Sequence, residues 1–226
     1  MKDEDWDEEE GDEDEKALKL LVELLEAEND EERSNAAEAL GDYAAEGLTD
    51  QSALPKLVKL LEDKNQNARI NAAIALSNYA SEGLMEESAL PKLVELLKDE
   101  EEVRLFAVNA LSTYATKGLT EGSALPKLVE LLEDEEEVRI FTLGALSAYA
   151  SMGLTDTSAL PKIIKQLEDE NEVVRAYTLH TLGEYASKGL TDKSALPKLA
   201  ELVEDEYQDE EIRNKAAEIL QKYKEK

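Results

Sequence analysis

Residues 123–134 read SALPKLVELLED, and the apolar positions Leu125, Leu128, Val129 and Leu132 follow the spacing i, i+3, i+4, i+7. That spacing puts all four on one face of a helix. Pro126 stands in the first turn, where a backbone N–H has no intrahelical partner to lose. The acidic run Glu133–Glu137 follows and suits the N-terminal dipole of a next helix. A second helix is predicted over EEVRIFTLGALSAYA, residues 136–150, burying Val138, Thr142, Ala145, Leu146 and Tyr149. It should stop at YASMGL, where Gly153 can take the left-handed C′ position and Leu154 can fold back as the C″ contact.

The pattern recurs. Pro55, Pro91, Pro126, Pro161 and Pro197 are spaced by 36, 35, 35 and 36 residues. Gly47, Gly83, Gly118, Gly153 and Gly189 keep the same spacing, as do Tyr43, Tyr79, Tyr114, Tyr149 and Tyr185. Arg33, Arg69, Arg104, Arg139 and Arg175 keep it too. Six helical hairpins follow, at about 17–50, 51–86, 87–121, 122–156, 157–192 and 193–226. One hairpin supplies half a core, and stacking completes it, so the expected fold is an all-α solenoid of twelve helices over residues 17–226. Residues 1–16, with eleven acids and two lysines, are expected to form a disordered acidic tail.

The segment LLEDEEEVRIFTLGALSAYA, with an acid, then Val-Arg, then small residues leading to Ala-Leu, resembles HEAT repeats. The resemblance covers residues 17–223 and implies a right-handed α-solenoid whose second helices line a concave face. It also implies an Asp–Arg ladder between neighbouring repeats, drawn from Asp63, Asp99, Asp134 and Asp169 and the register of Arg69, Arg104, Arg139 and Arg175. Repeat 1 departs from the pattern, with Lys19 in place of Pro and Glu32 in place of Val, and repeat 6 stretches its linker to EDEYQDEEIR. Terminal repeats commonly deviate in this way as caps. A partial second resemblance, in NAAIALSNYA (71–80) and SALPKLV, is to armadillo repeats. The asparagine with which that family grips a peptide matches Asn78, but the equivalent positions hold Asp42, Thr113, Ala148, Glu184 and Lys222. Some HEAT-like proteins are subunits of chromophore lyases, which keeps a non-catalytic lyase subunit as a minor alternative.

Charge narrows the partners. The formal net charge is −29. A surface that negative repels phosphate backbones, so direct binding to nucleic acid or to an anionic membrane is not expected. No apolar run approaches the length of a membrane span, and the acidic start does not read as a leader. With no cysteine and one histidine, thiolate chemistry and a His-based nucleophile are excluded, and no Gly-rich phosphate loop is present. The expectation is no enzyme, no cofactor and no metal, and a cytoplasmic location.

The candidate chemistry lies on the second helices. With the repeat arginine as position 0, burial is predicted at −1, +3, +6, +7 and +10, and the opposite face carries +1, +2, +5, +9 and +12. Position +1 reads Ser34, Ile70, Leu105, Ile140, Ala176, Asn214, and position +2 reads Asn35, Asn71, Phe106, Phe141, Tyr177, Lys215. The middle repeats are thus apolar where a helix should meet water, which marks a contact surface. Ile70, Leu105, Phe106, Ile140, Phe141 and Tyr177 are the expected apolar anchors of a partner-binding face. Asn71, Asn78 and Asn109 would supply hydrogen bonds, and the one histidine, His180, sits at exposed position +5. Packing of Phe106 and Phe141 between adjacent second helices is the competing reading.

The function these residues suggest is a scaffold that binds a protein or peptide on the concave face, with a basic partner favoured by charge. A homodimer through the same apolar patch fits the pattern as well. The main alternative is an acidic chaperone or charge mask for basic proteins. A designed repeat without natural partner is a third reading, against which the drift between TLHTLGEYA and AAIALSNYA counts.

Overall fold

The computed structural model describes residues 5–224, with side chains from residue 13 onward. The expected tail falls partly outside this range, and the first helix starts at Asp5 within it. Among the described residues there are twelve α-helices and no strand. The chain divides into two compact units that meet in sequence at Lys117 and Gly118. The first unit contains α1 (Asp5–Leu24), α2 (Asp30–Ala45), α3 (Leu54–Leu60), α4 (Gln66–Ser81), α5 (Ala89–Leu96) and α6 (Glu101–Thr116). The second contains α7 (Ala124–Glu130), α8 (Glu136–Ser151), α9 (Leu160–Lys165), α10 (Glu172–Ser187), α11 (Ala195–Glu204) and α12 (Glu210–Lys224). Each unit is three helical hairpins, a short first helix followed by a longer second one in every repeat after the first.

Local signals account for the helix boundaries. Asn65 caps α4 by accepting the Ala68 N–H at 3.0 Å, and Asn171 caps α10 by accepting that of Val173 at 2.8 Å. The glycine register ends the second helices with φ between +83° and +94°. After α2, the Leu48 N–H donates to Tyr43 O at 2.8 Å and the Gly47 N–H to Ala44 O at 3.0 Å. These are the two bonds of a Schellman stop, and the Leu84, Leu154 and Leu190 N–H groups repeat the first of them.

The predicted burial set is buried. In α4, α6, α8 and α10 the positions −1, +3, +6, +7 and +10 are all inaccessible, and Tyr79, Tyr114, Tyr149 and Tyr185 are 0% exposed. Two of the hydroxyls reach back to the turn that precedes the first helix of their own hairpin. Tyr79 Oη accepts the Asp50 N–H at 3.4 Å and Tyr149 Oη that of Glu121 at 3.5 Å. Burial pushes the Tyr149 phenol up to about 12.

Two ladders of ion pairs tie the hairpins together. Arg33, Arg69 and Arg139 each bond their own linker and the aspartate of the following repeat. Arg33 holds Asp63 in a fork at 2.8 and 3.0 Å, and Arg69 Nη2 reaches Asp99 at 2.7 Å while its Nη1 donates to Asp63 O at 2.9 Å. In the second unit Arg139 pairs with Asp169 at 2.7 Å, and Arg175 ends on the Gln208 side-chain oxygen at 2.9 Å. Burial raises the Asp63 and Asp99 carboxyls, but the Arg33 and Arg69 guanidiniums and the neighbouring backbone N–H groups outweigh it and hold both below the usual carboxylate range. The lysines after the prolines form the second ladder. Lys56 pairs with Glu26 at 3.0 Å, Lys162 with Glu133 at 3.1 Å and Lys198 with Glu168 at 2.8 Å, each on the preceding repeat.

Candidate interaction site

In the first unit the face opposite the core is largely used up by the fold. Ile70, expected as an exposed anchor, is 6% exposed. It lies on the flank that carries Ser77, two turns on, whose hydroxyl bonds that of Thr113 on α6 at 2.9 Å, and on the other flank α2 approaches α4 closely. A Cβ on Gly41 would lie 3.3 Å from the Ala75 Cα, so even a methyl group there would press on the α4 backbone. Little open surface then remains on that flank of α4. Asn71 and Asn78, expected to offer amide donors to a partner, spend them on α2 instead. Asn71 Nδ2 donates to Ser34 O at 3.1 Å and Asn78 Nδ2 to Gly41 O at 2.9 Å. Asn78 reaches that carbonyl at a residue with no side chain in the way. On α6, Leu105, Phe106 and Asn109 are half-buried.

The second unit differs. Phe141 on α8 is 39% exposed and Tyr177 on α10 is 42% exposed, at equivalent positions of adjacent repeats. Ile140 is half-buried beside Phe141. The Tyr177 ring lies over Gly144, where an added Cβ would sit 3.6 Å from Cε1. Part of each ring is therefore supported by the fold and part meets solvent, as an interface anchor requires. Thr181 Oγ1 donates within α10 or to Leu143 O at 2.9 Å across to α8, which fixes the two helices.

His180 is exposed, and among the described residues it makes no hydrogen bond; Glu184, one turn on, does not hold it. It lines a groove of about 500 Å³ between α10 and α12, with Val173, Ala176, Leu179 and Ile212 as the apolar lining. Glu172, Asp209, Glu211 and Lys215 complete the rim. Sequence reasoning missed all of these except His180. The available signal was the change at +2, where Lys215 replaces the ring found in the three preceding repeats. Among the described residues no helix is long and apolar enough to cross a membrane.

A profile of HEAT repeats matches residues 18–112 and 160–226. Comparison with curated proteins finds no match. Among solved structures, the chain is similar to a designed armadillo repeat protein in complex with the peptide (KR)4, with 28% identity and a TM-score of 0.77, covering 91% of this chain and 99% of that one. It shares its fold with an archaeal HEAT-like repeats protein from Thermococcus onnurineus NA1, at 19% identity and a TM-score of 0.67, covering 94% and 89%. It likewise shares the fold of the complex of CpcE and CpcF of phycocyanin lyase from Nostoc sp. PCC7120, at 21% identity and a TM-score of 0.60, covering 88% and 74%. The profile matches well over half of the chain, so the chain belongs to the HEAT-repeat family. It is an all-α repeat solenoid of the kind that serves as a protein-interaction scaffold.

Proposed function

We propose that this HEAT-repeat chain binds a protein or peptide partner on the second-helix face of residues 118–226, with Phe141 and Tyr177 as its anchors. The observation that carries the reading is the pair of rings, 39% and 42% exposed, at one register of two adjacent helices. Exposed aromatics supported from beneath lose little entropy on binding and bury a large apolar area. Ile140 adds apolar surface beside them, and His180 lies one turn beyond Tyr177. The scaffold works by holding the rings in place, with no bond made or broken.

A peptide library displayed on phage tests this. Peptides selected on the intact chain should lose at least about tenfold in affinity for Phe141→Ser/Tyr177→Ser. Circular dichroism and urea melts would show whether that variant keeps its fold. Selected peptides that bind a folded variant equally well would overturn the proposal.

The charge-mask reading keeps one specific support, the net charge of −29 together with the basic (KR)4 peptide on the similar designed armadillo protein. Ionic strength separates the two. Aromatic anchoring persists when salt is raised toward about 1 M, where the Debye length shrinks to about 3 Å, while charge masking fades.

A further inference from the structure

We infer that the groove between α10 and α12 seats a basic side chain of an extended partner peptide, an arginine in preference to a lysine. This rests on the reading that the same face binds a partner, and it names that partner's chemistry at one place.

The groove exists because the row of rings breaks. Phe106, Phe141 and Tyr177 occupy position +2 in successive repeats, and Tyr177 covers the surface of α8 at Gly144. In repeat 6 the position holds Lys215, whose amine turns to Glu218 of its own helix at 3.0 Å. The matching surface of α10 is left uncovered. Val173 is 43% exposed there, and Ala176 and His180 are exposed beside it. With Leu179 and Ile212 they line a groove of about 500 Å³, within the usual range of ligand clefts.

The floor is apolar and the rim is acidic. Glu172 and Glu211 are exposed and, among the described residues, neither forms an ion pair. Asp209 accepts the Glu211 N–H at 2.7 Å as the start of α12 and brings a third carboxylate to the rim. Lys215 is the one cation among the lining residues, and its charge is engaged by Glu218. A long side chain with an aliphatic stem and a cationic head matches both parts. The stem covers Val173, Ala176 and Ile212, and the head meets Glu172 and Glu211. Arginine is favoured because its planar guanidinium is weakly hydrated, bonds carboxylates in a fork and stacks on a flat ring such as the His180 imidazole. An acidic or wholly apolar segment satisfies only half of the groove.

The test uses the full chain and two labelled peptides, (Lys-Arg)4 and octalysine, followed by fluorescence anisotropy at about 0.15 M salt. Glu172→Gln/Glu211→Gln should weaken (Lys-Arg)4 about tenfold. A control that removes the same charge from the first helices, Glu130→Gln/Glu201→Gln, should change it less than about twofold. Lys215→Ala should tighten binding, and Ala176→Trp, which fills the groove, should abolish the preference for (Lys-Arg)4 over octalysine. Equal weakening by the rim and control pairs would overturn the inference, because binding would then follow net charge alone. A folded Ala176→Trp chain with unchanged preference would overturn it too. Loss of binding in Phe141→Ser/Tyr177→Ser with no effect of the rim pair would sink the groove while leaving the aromatic face standing. The opposite pattern would sink the aromatic face alone.

Discussion

The second helices of the two units are built from one repeat, yet they present different faces. In α4 of the first unit the side opposite the core holds a buried Ile70 and two asparagines bonded to α2. In α8 and α10 of the second unit the register of Asn71 holds Phe141 and Tyr177, both exposed, and His180 lies exposed one turn beyond Tyr177. The difference is set by small residues. Gly41 draws α2 onto α4 until backbone nearly meets backbone, and the asparagines then find carbonyls within reach. Gly144 lies under the Tyr177 ring instead, so the spacing is kept and the ring is lifted to the surface. One repeat can thus seal its flank or offer it, depending on which side of the junction carries the glycine and which carries the bulk.

Charging the two faces should separate them most. Ile70→Asp puts a carboxylate into a closed flank and should cost about 4 kcal/mol or unfold the first unit. Tyr177→Asp, at a ring that already meets water, should cost about 1–2 kcal/mol. Urea denaturation monitored by circular dichroism compares them. Equal losses would mean that the faces do not differ as described.

The ladder comes next in size. Asp99→Asn removes the charged partner of Arg69 and should cost about 2 kcal/mol. Its pH dependence has a definite sign. Asp63 and Asp99 sit below their ordinary value of 3.8, so their contribution is present above that value and is lost as pH falls through the lowered folded values. The wild-type chain should therefore lose stability on acidification from about pH 5 to about pH 2 more steeply than Asp63→Asn/Asp99→Asn. Parallel acid limbs in chemical melts at each pH would show that the ladder contributes nothing specific.

Smaller effects sharpen the contrast. Asn78→Ala removes the amide bond to the Gly41 carbonyl and should cost about 1 kcal/mol, whereas His180→Ala should stay within about 0.5 kcal/mol. Gly144→Ala meets only ordinary contact with Tyr177 and should gain about 0.5–1 kcal/mol from helix propensity. Gly41→Ala must push against the Ala75 backbone and should show no such gain. Thermal melts of these four variants rank them, and a Gly41→Ala gain as large as that of Gly144→Ala would remove the tight α2–α4 contact from the explanation.

Much of the fold is legible in the sequence because each repeat solves the same local problems with the same residues. Proline opens the first helix, glycine with φ near +85° closes the second, and five positions per turn-matched face go inward. What happens on the flanks is less legible. Angular position on one helix says which side faces away from its own hairpin partner. It does not say how near the helices of neighbouring repeats come, and that distance decided Ile70 and Asn78. The lysines after the prolines show the same limit. Lys56, Lys162 and Lys198 pair with glutamates of the preceding repeat, a contact that depends on how the hairpins stack. The groove beside His180 needed both helices to be seen, since Glu211, Ile212 and Lys215 of its lining come from α12.

The most direct test of the account is chemical-shift mapping of the full-length chain as it is titrated with (Lys-Arg)4. Perturbations centred on Phe141, Tyr177, His180 and the α10–α12 groove, with Ile70, Asn71 and Asn78 unmoved, are the predicted result. Shifts centred on α2 and α4, or spread evenly over the acidic linkers of every repeat, would contradict it.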